Sequence, residues 1–179
     1  MIRNRIKDVK ELTSPSAEPV TLQEAKDFLR VSFDDDDAVI TGMLTGARQL
    51  LEKRLNIFLA VRPLKVTFSH DGCYPLQLPY GPIGEITEST FRYDWDDTVI
   101  ITTSQYTVIG DEFKQFKGAP GWWTLTYNAG YQVAPEALKQ GILKQVAWMY
   151  ENRGDTTKTG ELNTDVLYML AGYDKNRWL

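Results

Sequence analysis

VTLQEAKDFLRVSFDDDDAVITGMLTGARQLLEKRLN, residues 20 to 56, carries two helix signals separated by four consecutive aspartates, Asp34 to Asp37. Thr21-Leu22-Gln23-Glu24 has the pattern of a capping box, in which the Thr21 hydroxyl accepts from the Glu24 amide and the Glu24 carboxylate reaches back. A short helix is expected to follow to about Arg30, with Leu22, Ala25, Phe28 and Leu29 on one face. A longer helix is expected from the aspartates to about Phe58. Ile40, Met43, Leu44, Ala47, Leu51, Leu55 and Phe58 recur at helical spacing. Thr41, Thr45, Arg48, Glu52 and Asn56 fall mostly on the other side. Gly42 and Gly46 form a GxxxG pair, read as close packing against a neighbouring element.

The aspartates invite a metal reading, and the spacing rejects it. A calcium loop alternates its ligands, then turns on glycine, then supplies a distal glutamate. Here Ala38, Val39 and Ile40 stand where that pattern should continue. The run reads instead as a helix start. Asp34 or Asp35 would cap the orphan amides, and the others would complement the positive end of the helix dipole.

Beyond Val61 the period changes. Arg62 to Ser69 alternates with Leu64, Val66 and Phe68 on one face. Leu76 to Leu78, Ile83 to Tyr93, Thr98 to Thr102, Tyr106 to Ile109 and Trp122 to Tyr127 also read as strands, punctuated by glycine, proline and Asp-Gly turns. About six short strands imply an antiparallel sheet or small barrel. Helical period returns after Pro135, a residue suited to the first turn. Leu138, Ile142, Val146, Met149 and Tyr150 make its stripe, with a stop at Gly154. A last short helix is expected from Thr164 to Leu170. The fold class is therefore α+β: a helical bundle with an inserted β domain. Its parts would be an N-terminal arm (1–18), a helical core (19–60 and 134–154), the insertion (61–133) and an extended C-terminal tail (155–179).

Composition narrows the function. Of 179 residues, 42% are hydrophobic and 25% charged, and the net charge is −4. An acidic chain is poorly suited to bind nucleic acid by neutralising phosphates. A lone cysteine, Cys73, excludes an internal disulfide. No apolar run reaches the length of a membrane span, so an aqueous working environment is expected. His70, Asp71 and Cys73 sit at a turn signal and supply too few ligands for a structural zinc site. Asp94, Asp96 and Asp97 flank another turn and read as solvated. No nucleophile elbow, phosphate-binding loop or metalloprotease motif occurs. No catalytic residue, metal or cofactor is assigned. The C-terminal GYDKNRWL, 172 to 179, is unusual for a terminus. Tyr, Trp and Arg are residue types that dominate binding hot spots. Docking of this tail onto its own domain is the competing reading.

Three ordered stretches resemble the head–tail connector proteins of tailed bacteriophages, also called adaptor or head-completion proteins. They are the opening stretch, LQLPYGPIGEIT (76–87) and WTLTYNAGYQVAPEALKQGILKQVAWMYENRG (123–154). The resemblance implies a structural, non-enzymatic protein of the virion neck, assembled in the host cytoplasm. It implies a ring, dodecameric in the virion, beneath the portal protein. That ring would extend the channel through which genomic DNA passes and join the next neck, stopper or tail protein, with no membrane partner. It also implies portal binding by the C-terminal segment, here Tyr168, Tyr173, Arg177, Trp178 and Leu179. The acidic charge fits a channel wall that repels phosphate. The alternative is a binding module whose β domain recognises a ligand through exposed aromatics such as Trp95 or Trp122.

Overall fold

The computed structural model describes residues 3–92, 99 and 100, 106–155 and 160–173. It has an α+β architecture in two compact units. One is built from residues up to Ser16 and from Val61–Tyr131, the other from Ala17–Ala60 and from Gln132 onward.

The β unit contains a five-stranded antiparallel sheet of order β1-β2-β8-β4-β5. Its strands are β1 (Arg5–Glu11), β2 (Arg62–His70), β4 (Ile83–Arg92), β5 (Val99–Ile100) and β8 (Gly121–Ala129). A three-stranded sheet of order β3-β7-β6 comprises β3 (Leu76–Gln77), β6 (Tyr106–Ile109) and β7 (Gln115–Gly118). The expected alternation sets the β2–β8 register: Leu64 pairs Tyr127, Val66 pairs Leu125 and Phe68 pairs Trp123, all buried. Phe116 of the small sheet packs edge-on against Phe68 (centroids 4.9 Å) and Trp123 (4.8 Å) of the large one. Phe91 closes on Trp123 at 4.7 Å. Burying such rings supplies large apolar area together with favourable edge-to-face geometry.

Two elements differ from expectation. Residues 5–11, read as part of a flexible arm, form β1 and pair with β2 along its length. A register shift between Ile6 and Asp8 explains the misreading. The irregularity brings Ile6 and Val9, three residues apart, opposite Phe68 and Val66, so strict alternation is lost in the sequence. The charged side chains of this strand suit a sheet edge, where they oppose unwanted pairing. The second is β7, which has Phe116 as its sole buried side chain and escapes a periodicity search.

The helical unit holds α1 (Leu22–Leu29), α2 (Asp37–Leu55), α3 (Glu136–Glu151) and α4 (Thr164–Met169), the last followed by a 3-10 turn over Ala171–Tyr173. Ile40, Leu44, Ala47, Leu51 and Leu55 of α2 and Leu138, Ile142 and Val146 of α3 are buried as their spacing requires. Met149 and Tyr150 are only half-buried. Helix α2 ends at Leu55, not Phe58, because Asn56 takes a left-handed conformation (φ 54°) that asparagine tolerates. Asn152, ahead of Gly154, caps the end of α3. The GxxxG expectation fails. A methyl added at Gly42 would meet nothing within 4 Å, and one at Gly46 would make only ordinary contact with Met149. The close approach is at Gly141 of α3, where a methyl would lie 2.7 Å from Leu170 and 3.2 Å from Leu51.

Candidate functional site

The aspartate run joins three helices. Thr21 caps α1 as the sequence requires, in an extended conformation, accepting from the Glu24 amide at 3.2 Å while the Thr21 amide donates to the Glu24 carboxylate at 2.7 Å. The Thr21 backbone amide holds the Glu24 carboxyl below its ordinary value. Neither Asp34 nor Asp35 caps α2. Asp36 occupies the cap position, and its side chain makes no capping bond. Its backbone (φ −94°, ψ 3°) is not extended, so the carboxylate cannot swing over the first amides.

The carboxylates are drawn to other elements. Lys26 of α1, buried, donates to Asp34 at 2.6 Å and to Asp37 at 2.7 Å. Asp36 accepts from the Tyr150 hydroxyl in the last turn of α3 and from Arg153 (3.1 Å) in the turn just beyond it. The Arg153 guanidinium also lies 4.5 Å from the Tyr150 ring centroid. The hydrogen bond from Lys26 lowers the Asp34 pKa, and the bond from Tyr150 is the main cause that lowers Asp36. Asp35 is exposed. The run is thus a structural junction between α1, α2 and α3.

A second charged network lies on the side of α2 opposite its apolar stripe. Arg48 and Glu52, both buried, pair at 2.8 Å across one helical turn. Arg48 also donates to Glu18 at 2.7 Å, and Glu52 accepts the Leu59 amide at 2.9 Å. The i, i+4 spacing of Arg48 and Glu52 was a visible signal. Its burial was not, because Glu18 and Leu59 lie outside the helix.

The other candidate chemistry disperses. His70 ends β2, is fully buried, and accepts from the Gly72 amide at 3.0 Å through Nδ1. Its ring stands edge-on to Phe116, so it is a core residue rather than an exposed turn residue. Asp71 accepts the amides of Cys73 and Tyr74 and organises the turn, leaving Cys73 exposed. Trp122 is half-buried with the Lys7 ammonium 5.2 Å from its ring centroid, so it does not offer an open face. Trp95, Asp94, Asp96 and Asp97 lie outside the described residues, as do Arg177, Trp178 and Leu179. Among the described residues no cluster of three potential metal ligands occurs, and no helix is long and apolar enough to cross a membrane. Of the proposed portal-binding residues, Tyr168 is 78% exposed beside the exposed Met169, and Tyr173 is half-buried.

Residues 19–78 match the family model for the phage gp6-like head-tail connector protein. That span contains the first of the three stretches that carry the resemblance, residues 20 to 56, and the start of the second. No curated protein matches the chain. Among solved structures, the chain is similar to one from the neck of an empty gene transfer agent particle computed with C6 symmetry. The TM-score is 0.75 at 18% identity, covering 93% of this chain and 95% of the other. It is also similar to a chain from the virion of the native gene transfer agent particle (TM-score 0.73, 18% identity, 92% and 94% covered). A third, from the neck of the native particle computed with C12 symmetry, gives a TM-score of 0.70 at 17% identity over 93% and 94%. At these identities the likeness establishes a shared fold.

Proposed function

We propose that this chain is a structural protein of a virion neck, a ring-forming connector between a DNA-filled head and the tail. One observation carries the reading. The connector family model falls on residues 19–78, while the whole chain shares the fold of neck proteins over more than nine-tenths of its length. Neither match alone reaches so far. The C6 and C12 symmetry of the similar necks supports a cyclic assembly, and the finer proposal is a dodecamer in the virion. A connector's work is geometric: it presents fixed surfaces, and its charged junctions hold the helices that present them.

In this reading the portal lies on one side of the ring and a further neck, stopper or tail protein on the other. Genomic DNA passes through without sequence-specific contact. The −4 charge per subunit, repeated around the ring, gives a field that discourages phosphate from sticking. Assembly takes place in the host cytoplasm and the mature location is the head–tail junction. No catalytic step is part of the proposal. The segment from Tyr168 through Tyr173, Arg177, Trp178 and Leu179 is proposed to grip the portal, supported by the exposed Tyr168 and by a residue composition typical of hot spots.

The test is co-sedimentation with purified portal of the full chain and of a chain ending at Leu170. The full chain should travel with portal, and the shortened chain should stay at the top of the gradient while keeping its circular dichroism. Equal co-sedimentation of the two would overturn the assignment of Tyr173, Arg177, Trp178 and Leu179 to the portal contact. Failure of both would overturn the connector reading.

A further inference from the structure

Two surfaces of the helical unit stand without a partner. The first is an open groove of about 270 Å³ between α1 and α3. Glu24, Asp27 and Phe28 line it from α1, and Glu136, Lys139 and Leu143 from α3, with no residue of α2 in the lining. Three carboxylates and one ammonium give it a formal charge of −2, and Phe28 is left 42% exposed. The second is the outward face of α2. Between Ala38 and Leu50 the one charged side chain, Arg48, is buried. Ala38, Val39, Thr41, Gly42 and Gln49 face outward instead, with Val39 45% exposed and Leu50 half-buried beside them. A helix side that meets only water normally carries charge. A methyl added at Gly42 would meet nothing within 4 Å, so no described residue covers that point. Three residues past Leu50 this face ends in the exposed Lys53.

We infer that these surfaces are the two halves of one contact, in which the outward face of α2 in one copy seats in the α1–α3 groove of the next. Leu50 meets Phe28 and Leu143, and Lys53 meets Asp27 and Glu136. Charge sets the polarity of the contact. The acidic groove accepts the end of α2 that carries Lys53 and repels the other end, where Asp35 is exposed. The apolar side chains supply the burial: Phe28 and Leu50 leave water only when a second copy arrives. Difference between the two surfaces sets the symmetry. A groove meeting itself about a two-fold axis would set carboxylate on carboxylate. A face meeting a different face is a head-to-tail contact, which adds copies in one direction and closes into a ring when the rotation per step allows. The inference rests on the ring reading above and names the surfaces that build the ring.

The experiment is disulfide cross-linking between full-length chains in which the exposed Cys73 is replaced by serine. One chain carries Leu50→Cys and the other, made heavier by a tag, carries Phe28→Cys. They are mixed with and without purified portal, oxidised, and separated by size under denaturing conditions. Dimers joining the two variants should form, and neither variant should cross-link to itself. Adding Lys53→Glu to the first chain should abolish the mixed dimer, as should adding Asp27→Lys to the second. Both changes together should restore it, because the pair of charges is then exchanged across the contact. Circular dichroism of each variant should match that of the parent. Self-cross-linking of the Leu50→Cys chain without mixed dimers would mean a two-fold pairing of α2 and would overturn the proposal. Mixed dimers that ignore both charge changes would overturn the seating of Lys53 in the groove. Portal co-sedimentation of the same mixtures separates this contact from the connector reading. Chains that travel with portal but give no mixed dimer would overturn the contact and leave the connector standing. Mixed dimers from chains that never travel with portal would uphold the contact and overturn the connector, and absence of both would overturn the two together.

Discussion

The β unit and the helical unit are stabilised by different physics. In the first, the decisive contacts are ring on ring: Phe116 against Phe68 and Trp123, with Phe91 behind. In the second, an apolar core is fastened by ion pairs: buried Arg48 with buried Glu52 and with Glu18, buried Lys26 with Asp34 and Asp37, and, nearer the surface, Asp36 with Arg153. Ring contacts are indifferent to pH. Ion pairs are not, and a buried pair is costly to break because the survivor stays desolvated. The difference suggests that the two units will fail under different conditions, which each of the following changes can check.

The largest effects come from the two centres. Arg48→Ala should destabilise by about 3–5 kcal/mol, since Glu52 would remain buried without its cation. Phe116→Ala should cost a similar amount, about 3–5 kcal/mol, through lost transfer energy and the cavity left behind. Urea denaturation followed by far-UV circular dichroism separates them. The Arg48 loss should shrink when Glu52 is also replaced by Leu, whereas no second charge change should relieve Phe116→Ala. A full Arg48 penalty in the Arg48→Met and Glu52→Leu pair would show that packing, not charge, matters there.

Acid sharpens the contrast. The folded-state pKa values of Asp34 and Asp36 are lowered by their partners. Their stabilisation is therefore present above the ordinary aspartate value near 4 and is lost as pH falls through the lower folded values. Lys26 has the opposite sign: its pKa is raised, so its contribution holds below about 10.5 and fades at higher pH. Hydrogen exchange between pH 7 and pH 3 should show α1, α2 and the end of α3 loosening before β2 and β8. Simultaneous loosening of both units would remove the distinction. Asp36→Asn should abolish most of the acid sensitivity at the end of α3.

Smaller changes probe the helix starts and faces. Thr21→Ala should cost about 1 kcal/mol by removing the α1 cap, whereas Asp35→Ala should be close to neutral. Gly42→Ala should gain about 0.5–1 kcal/mol, because the site is open and alanine is the better helix former. A loss there, in thermal unfolding of the unassembled protein, would mean that something packs closely on that glycine.

The same contrast explains what was readable in the sequence. Apolar periodicity found α2, α3, β2 and β8, because burial alone decides those positions. The Thr21 box was legible because both partners are three residues apart. The aspartates were read as caps of α2, and no aspartate side chain makes that capping bond. Their partners Lys26 of α1, Tyr150 of α3 and Arg153 just past α3 come from other elements, and a local motif cannot reveal a bond spanning 114 residues. Arg48 and Glu52 fall on the side of α2 away from its apolar stripe, and their burial comes from Glu18 and Leu59, which lie outside the helix. The register shift in β1 hid a strand whose two inward residues, Ile6 and Val9, are three apart. At the proposed portal-binding segment, the family resemblance gave the portal and composition gave only a binding element, and Tyr168 and Tyr173 alone fall among the described residues.

The central claim is that the chain closes into a ring on a portal. Electron microscopy of the protein mixed with purified portal tests it most directly. The account predicts end-on views showing a cyclic ring of this chain, twelve copies to one portal, stacked coaxially beneath it. Portal particles without added density, with this chain remaining monomeric at saturating concentration, would contradict it.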